Sequence, residues 1–133
     1  MNSYFKVDSA APSPRSARYS HAVEANGFLF ITGQLPVDPE DPNAPLPQTI
    51  SAQADLVFRN LTLIAEAAGY ALADTVFARI YLAHFDEDYE AFNEVFHWHF
   101  RDDDRLPGRT TVGVAKLGRN ARVEIDLTLA RSG

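Results

Sequence analysis

The sequence has no cysteine. That excludes a disulfide framework, a thiol nucleophile and a thiolate metal site. It has no apolar run near the roughly 20 residues that a membrane span needs, and residues 1–10 lack the apolar segment of a secretory signal. We therefore expect a cytoplasmic protein with no membrane partner. Positive charge is in short supply: 12 Lys and Arg stand against 18 Asp and Glu, a formal net charge of -6. Nucleic-acid binders usually carry a basic patch, so no nucleic-acid partner is expected. An anionic substrate would be repelled by the overall field and would need a local cation to hold it. Internal repeats, an HExxH pair, a G-x-S-x-G elbow and the glycine spacing of a phosphate loop are all missing. His97 and His99 sit two apart on a helical pattern and point about 200° apart, so no metal site is expected.

What remains is ordinary for a globular chain. At 133 residues and 46% hydrophobic, the length fits one domain, 1–133, with a single core. Residues 1–15, with Pro12 and Pro14, read as a loose leader. Two strands are expected from Arg18 to about Phe30, with Tyr19, His21 and Val23 on one face. Asn26-Gly27 is a hairpin signal between them. The second strand is apolar on both faces, which implies burial on both sides. Five of the eight prolines lie from Pro36 to Pro47, where neither a helix nor a central strand can form.

Ile50, Ala54, Val57, Phe58, Leu61, Ile64, Ala65 and Ala68 recur at helical spacing and stop at Gly69. Thr75–Leu82 alternates as a strand. A second helix is expected from an Asp86 N-cap to about Phe100, with Tyr89, Phe92, Phe96 and Phe100 as its stripe. Asp102-Asp103-Asp104 reads as a solvated turn. Strands over 109–115 and 121–130 complete the order. In the last, Val123, Ile125, Leu127 and Leu129 point one way, and Arg122, Glu124, Asp126 and Thr128 the other. This pattern predicts an α+β fold, a single sheet with two helices on one face. Two helices leave the second sheet face open, so self-association is expected to cover it.

Three residues stand out chemically. Asn93 lies inside the apolar stripe, where an amide must find partners. It is either a satisfied core amide or part of a site. Arg109 opens a strand after Leu106-Pro107-Gly108. It is either a surface charge or a planar fork able to grip a carboxylate bidentately. Glu124 is a solvated strand charge unless an oligomer buries its face; there it becomes a partly desolvated carboxylate near a cation, able to orient water.

The segments Tyr19-Ser20-His21-Ala22-Val23, Phe30 to Pro39 (FITGQLPVDP), Glu66-Ala67-Ala68-Gly69, Phe92-Asn93-Glu94-Val95-Phe96, Pro107 to Val112 (PGRTTV) and Val123-Glu124-Ile125-Asp126 resemble the RidA/YjgF family. The resemblance runs from about Ala17 to Ala130. It implies a chorismate-mutase-like homotrimer with sites at the subunit interfaces. It also implies hydrolytic deamination of 2-imino or 2-enamino acids, of the 2-aminoacrylate/2-iminopropanoate type, to 2-keto acids and ammonia. No metal or organic cofactor is implied.

By the same resemblance, Arg109 and Glu124 would be catalytic: the first gripping the substrate carboxylate, the second positioning water. Tyr19, Thr32, Gly33, Asn93 and Thr111 would bind substrate. Departures from the family pattern are Ala17-Arg18 in place of Gly-Pro, His21 in place of glutamine, and Gly113 where glutamate is common. His21 is either a packing residue or a group titrating near neutrality. Competing functions are a catabolic enamine deaminase (2-aminomuconate-like), a non-catalytic ligand-binding or chaperone-like trimer, and an RNA-cleaving role.

Overall fold

Asn26 and Gly27 turn the chain with positive φ of 53° and 80°, the pair of conformations that a two-residue type I′ hairpin requires. In the computed structural model, which describes residues 1–10 and 18–131, they join β2 (Ala22–Ala25) to β3 (Phe28–Gln34) with Ala25 opposite Phe28. β1 (Ser3–Phe5) pairs antiparallel with β2. At the centre, β6 (Val123–Ala130) lies antiparallel between β3 and β4 (Thr75–Leu82). β5 (Gly108–Gly113) closes the far edge, parallel to β4. The six-stranded mixed sheet therefore runs β1-β2-β3-β6-β4-β5.

Both helices lie on one face, as the periodicity predicts. α1 (Ile50–Ala67) begins at Thr49, whose Oγ1 accepts from the Ala52 N–H at 3.1 Å. It is followed by Gly69 at φ 82°. Its buried stripe of Ala54, Val57, Phe58, Leu61 and Ile64 meets Leu29, Ile31, Ile80, Ile125, Leu127 and Leu129 of the sheet in one core. α2 (Phe85–His99) adds Phe92, Val95 and Phe96. The proline-rich stretch 36–47 contains no helix or strand. Buried amides of α1 hold it: Asn60 Nδ2 donates to Val37 O at 2.8 Å, and Gln53 Nε2 donates to Pro47 O at 2.8 Å. Among the described residues, no helix is long and apolar enough to cross a membrane.

Five expectations are corrected. The presumed leader contains β1, ordered by its pairing with β2; Pro12, Pro14 and Ala17 lie outside the described residues. The strand expected from Arg18 begins only at Ala22; Arg18 itself takes a left-handed φ of 59°, outside the extended region a strand requires. His21 does not share a face with Val23; it is buried, and its Nδ1 accepts from the Val7 N–H at 2.8 Å.

At α2, His84 occupies the N-cap position without a side-chain bond, and Asp86 is the second residue of the helix, in an acidic first turn. There it still favours the positive end of the helix dipole. Finally, Arg122 does not point outward with Glu124. It precedes β6 and reaches α2, where it donates to the buried Asp88 from Nε at 2.8 Å and Nη2 at 3.0 Å.

The face away from the helices carries Phe28, Phe30, Val76, Phe77 and Val112, between 39% and 48% exposed. The two-sided burial expected of β3 is therefore not completed within one chain. Leu29 and Ile31 are buried inward, while Phe28 and Phe30 remain open outward.

Candidate active site

Strand register decides which candidate residues meet. Arg109 and Thr111 of β5 lie opposite Ala78 and Ile80 of β4, which face the helices. Their side chains therefore join α2. Arg109 donates from Nε to Thr111 Oγ1 at 2.9 Å and from Nη2 to Asn93 Oδ1. Those two groups occupy the side-on edge of the guanidinium. The end-on edge, Nη1 with the second Nη2 hydrogen, has no partner among the described residues. Beneath the cation lie the rings of Phe96, Phe92 and Tyr89, with centroids 4.6, 5.5 and 5.9 Å from Cζ. Burial lowers the guanidinium from its ordinary value, yet an arginine stays charged. A half-buried cation with one open planar edge can accept a carboxylate end-on. Asn93 is thus the satisfied amide that its stripe demanded. Thr111 contributes its hydroxyl, orienting the arginine.

Glu124 belongs to the other face. It lies opposite Tyr81 of β4, in the outward register. Its carboxyl is pushed above the usual carboxylate range, first by burial and then by the neighbouring Asp126 charge. Asp126 is itself held by Arg79 Nε at 2.8 Å and Tyr81 Oη at 3.0 Å. Glu124 has no hydrogen bond among the described residues. Gly33 faces it so closely that a Cβ there would collide with its carboxylate. Tyr19 is half-buried near it; burial first, and then the Glu124 charge, raise its hydroxyl above the ordinary range. Thr32 projects outward, and its Oγ1 donates to Ser20 O at 2.6 Å. A depression of about 290 Å³ on this face is lined by Phe30, Thr32, Gly33 and Asp126 among others.

The candidates therefore form two groups, not one. Arg109, Asn93 and Thr111 sit on the helix side of β5. Glu124, Gly33, Thr32 and Tyr19 sit on the outer face. A single chain does not bring Arg109 to Glu124, so the expected cation beside the carboxylate is not met within one copy. The reason is that each strand's alternation is readable alone, but the phase between β5 and β6 is set by β4, which lies between them.

A larger depression, about 430 Å³, runs along Ala73–Val76 and Arg105–Pro107 and contains none of the candidates. Its size alone does not make it the site, because the groups able to do chemistry lie elsewhere. Sequence reasoning missed the Asp126–Arg79–Tyr81 network. Its signal was present: Asp126 is two residues from Glu124 and must share its face. Among the described residues, no group of three His, Asp or Glu side chains is placed to hold a metal ion.

Comparison with known proteins agrees with this architecture. The family model described as Endoribonuclease L-PSP matches residues 9–130. A RutC family protein of Aquifex aeolicus is 37% identical over 113 residues, covering 85% of this chain and 88% of the relative. A protein of Dermatophagoides farinae named 2-iminobutanoate/2-iminopropanoate deaminase is 34% identical over 116 residues, 87% of each chain. The crystal structure of RidA from the Antarctic bacterium Psychrobacter superposes with a TM-score of 0.87 at 34% identity, covering 97% of this chain and 99% of that one. With a family model spanning nearly its whole length and relatives above 30% identity across most of theirs, the chain belongs to the RidA/YjgF family.

Proposed function

We propose that the protein hydrolyses 2-imino acids, and their 2-enamino tautomers, to 2-keto acids and ammonia. The observation that carries this reading is the open edge of Arg109, fixed by Asn93 and Thr111 over an aromatic floor. A carboxylate gripped there by two charge-assisted hydrogen bonds fixes the adjacent C=N carbon in space. Glu124 holds a water, takes its proton as the oxygen adds to that carbon, and returns a proton to the nitrogen. The carbinolamine then collapses: Glu124 takes the hydroxyl proton and passes it to the nitrogen, the C=O forms as the C–N bond breaks, ammonia leaves and the 2-keto acid remains. The imine is already electrophilic, so orientation and two proton relays through one carboxylate suffice.

This reading requires Arg109 of one copy to meet Glu124 of another. A homotrimer supplies that meeting, and the exposed Phe28, Phe30, Phe77 and Val112 on the same sheet face as Glu124 give the copies an apolar surface to bury. An endoribonuclease role, which the family description names, would call for a basic surface; the net charge of -6 weighs against it.

The test is ammonia release from freshly generated 2-aminoacrylate. Arg109→Ala should lower kcat/KM by about a hundredfold or more, as expected for losing two hydrogen bonds to a charged group. Arg109→Lys should recover little, because lysine lacks the fork. Undiminished activity in Arg109→Ala would refute the assignment.

A further inference from the structure

What flanks the open edge of Arg109 is apolar, but only part of it is available to an occupant. Phe92 and Phe96 are buried beneath the guanidinium. Tyr89 is 38% exposed, and its ring stacks on Phe85 with centroids 4.9 Å apart and planes tilted by 21°. Phe85, Tyr89 and Asn93 recur every fourth residue, so they form one ridge of α2. That ridge covers about 12 Å of helix, and β5 from Arg109 to Gly113 covers about 13 Å of strand. The two run side by side, with Asn93 against Arg109 and Phe85 against Gly113. A Cβ built on Gly113 meets Phe85 Cβ at 3.2 Å. A Cβ at 113 would make Phe85 give by a few tenths of an ångström, and a branched side chain would shift it further and disturb its stack on Tyr89. Gly113 matters here for space, not for backbone freedom.

We propose that the Phe85–Tyr89 stack is the specificity wall of the Arg109 site, and that Gly113 seats it. It selects substrates whose side chain, on the carbon next to the carboxylate, is large and apolar, an aromatic ring above all. The proposal rests on the deaminase reading for the nature of the anchored anion. A methyl group at that carbon leaves the Tyr89 face in water, whereas an aromatic ring covers it and stacks in an offset or edge-on arrangement.

The experiment measures the wall both with and without chemistry. Calorimetry gives the affinities of phenylpyruvate and pyruvate, the two product 2-oxo acids. A coupled assay gives kcat/KM for the corresponding imines, generated in place by an amino-acid oxidase. The wild-type protein should bind phenylpyruvate roughly tenfold more tightly than pyruvate. Tyr89→Ala removes an exposed ring, and Gly113→Val displaces Phe85 from the opposite side. Each should reduce the preference to about twofold or less, in affinity and in kcat/KM alike. No preference in the wild type, no binding of either acid, or a preference surviving Tyr89→Ala overturns the wall. If the affinity preference is present and neither imine is hydrolysed, the wall stands and the deaminase reading falls. Hydrolysis of both imines without preference has the opposite meaning.

Discussion

Arg109 and Glu124 lie in environments that move their proton equilibria in opposite directions, each toward its neutral form. For the arginine the shift is immaterial, since it stays charged. For Glu124 it has a consequence. If its carboxylate is the group that relays the proton, kcat/KM should fall with acid at a pH above the ordinary glutamate range; a pH profile with an ordinary or lower acid limb would argue against that role. The sign also reaches stability. The folded state binds this proton more tightly than the unfolded chain, so stability is greatest below the ordinary pKa and declines as pH rises through the elevated one. Glu124→Gln should therefore raise Tm at neutral pH while removing activity.

Gly33→Ala should behave differently. Its Cβ collides with the Glu124 carboxylate, so turnover should drop while carboxylate affinity at Arg109, measured with pyruvate, holds. Part of this was legible in the sequence: an amide in the Asn93 stripe had to be satisfied, and Arg109 satisfies it. The Thr111 hydroxyl as the second holder was not, because a residue two along a strand reads only as sharing a face.

At the scale of elements, local chemistry predicted what local forces decide. The Asn26-Gly27 hairpin, α1 and β4 appear where turn residues and periodicity put them. β1 was not legible, since three residues carry no period and only pairing with β2 orders them. The start of α2 shows the same division. An acidic first turn signalled a helix N-terminus, but the fixing contact comes from Arg122, 34 residues away in sequence. Two substitutions should separate these levels. Thr49→Ala, losing one cap of α1, should cost about 1 kcal/mol. Arg122→Ala leaves the Asp88 carboxylate buried without its partner and should cost about 3 kcal/mol or more. Urea denaturation midpoints check both, and equal losses would contradict the account.

For the whole molecule, the division of the candidate residues between two sheet faces makes assembly measurable through activity. Light scattering should give a mass near three chains. Arg109→Ala and Glu124→Gln, each inactive alone, should complement when mixed through unfolding and refolding. With random assembly, about a quarter of the interfacial sites draw an intact Arg109 from one copy and an intact Glu124 from the next. A site confined to one chain would recover nothing. The outer face also holds its exposed phenylalanines within a strand or two of Glu124. Substituting one of those rings, with no reactive group altered, should make specific activity fall on dilution and return on concentration. Turnover per chain would then report the association equilibrium itself.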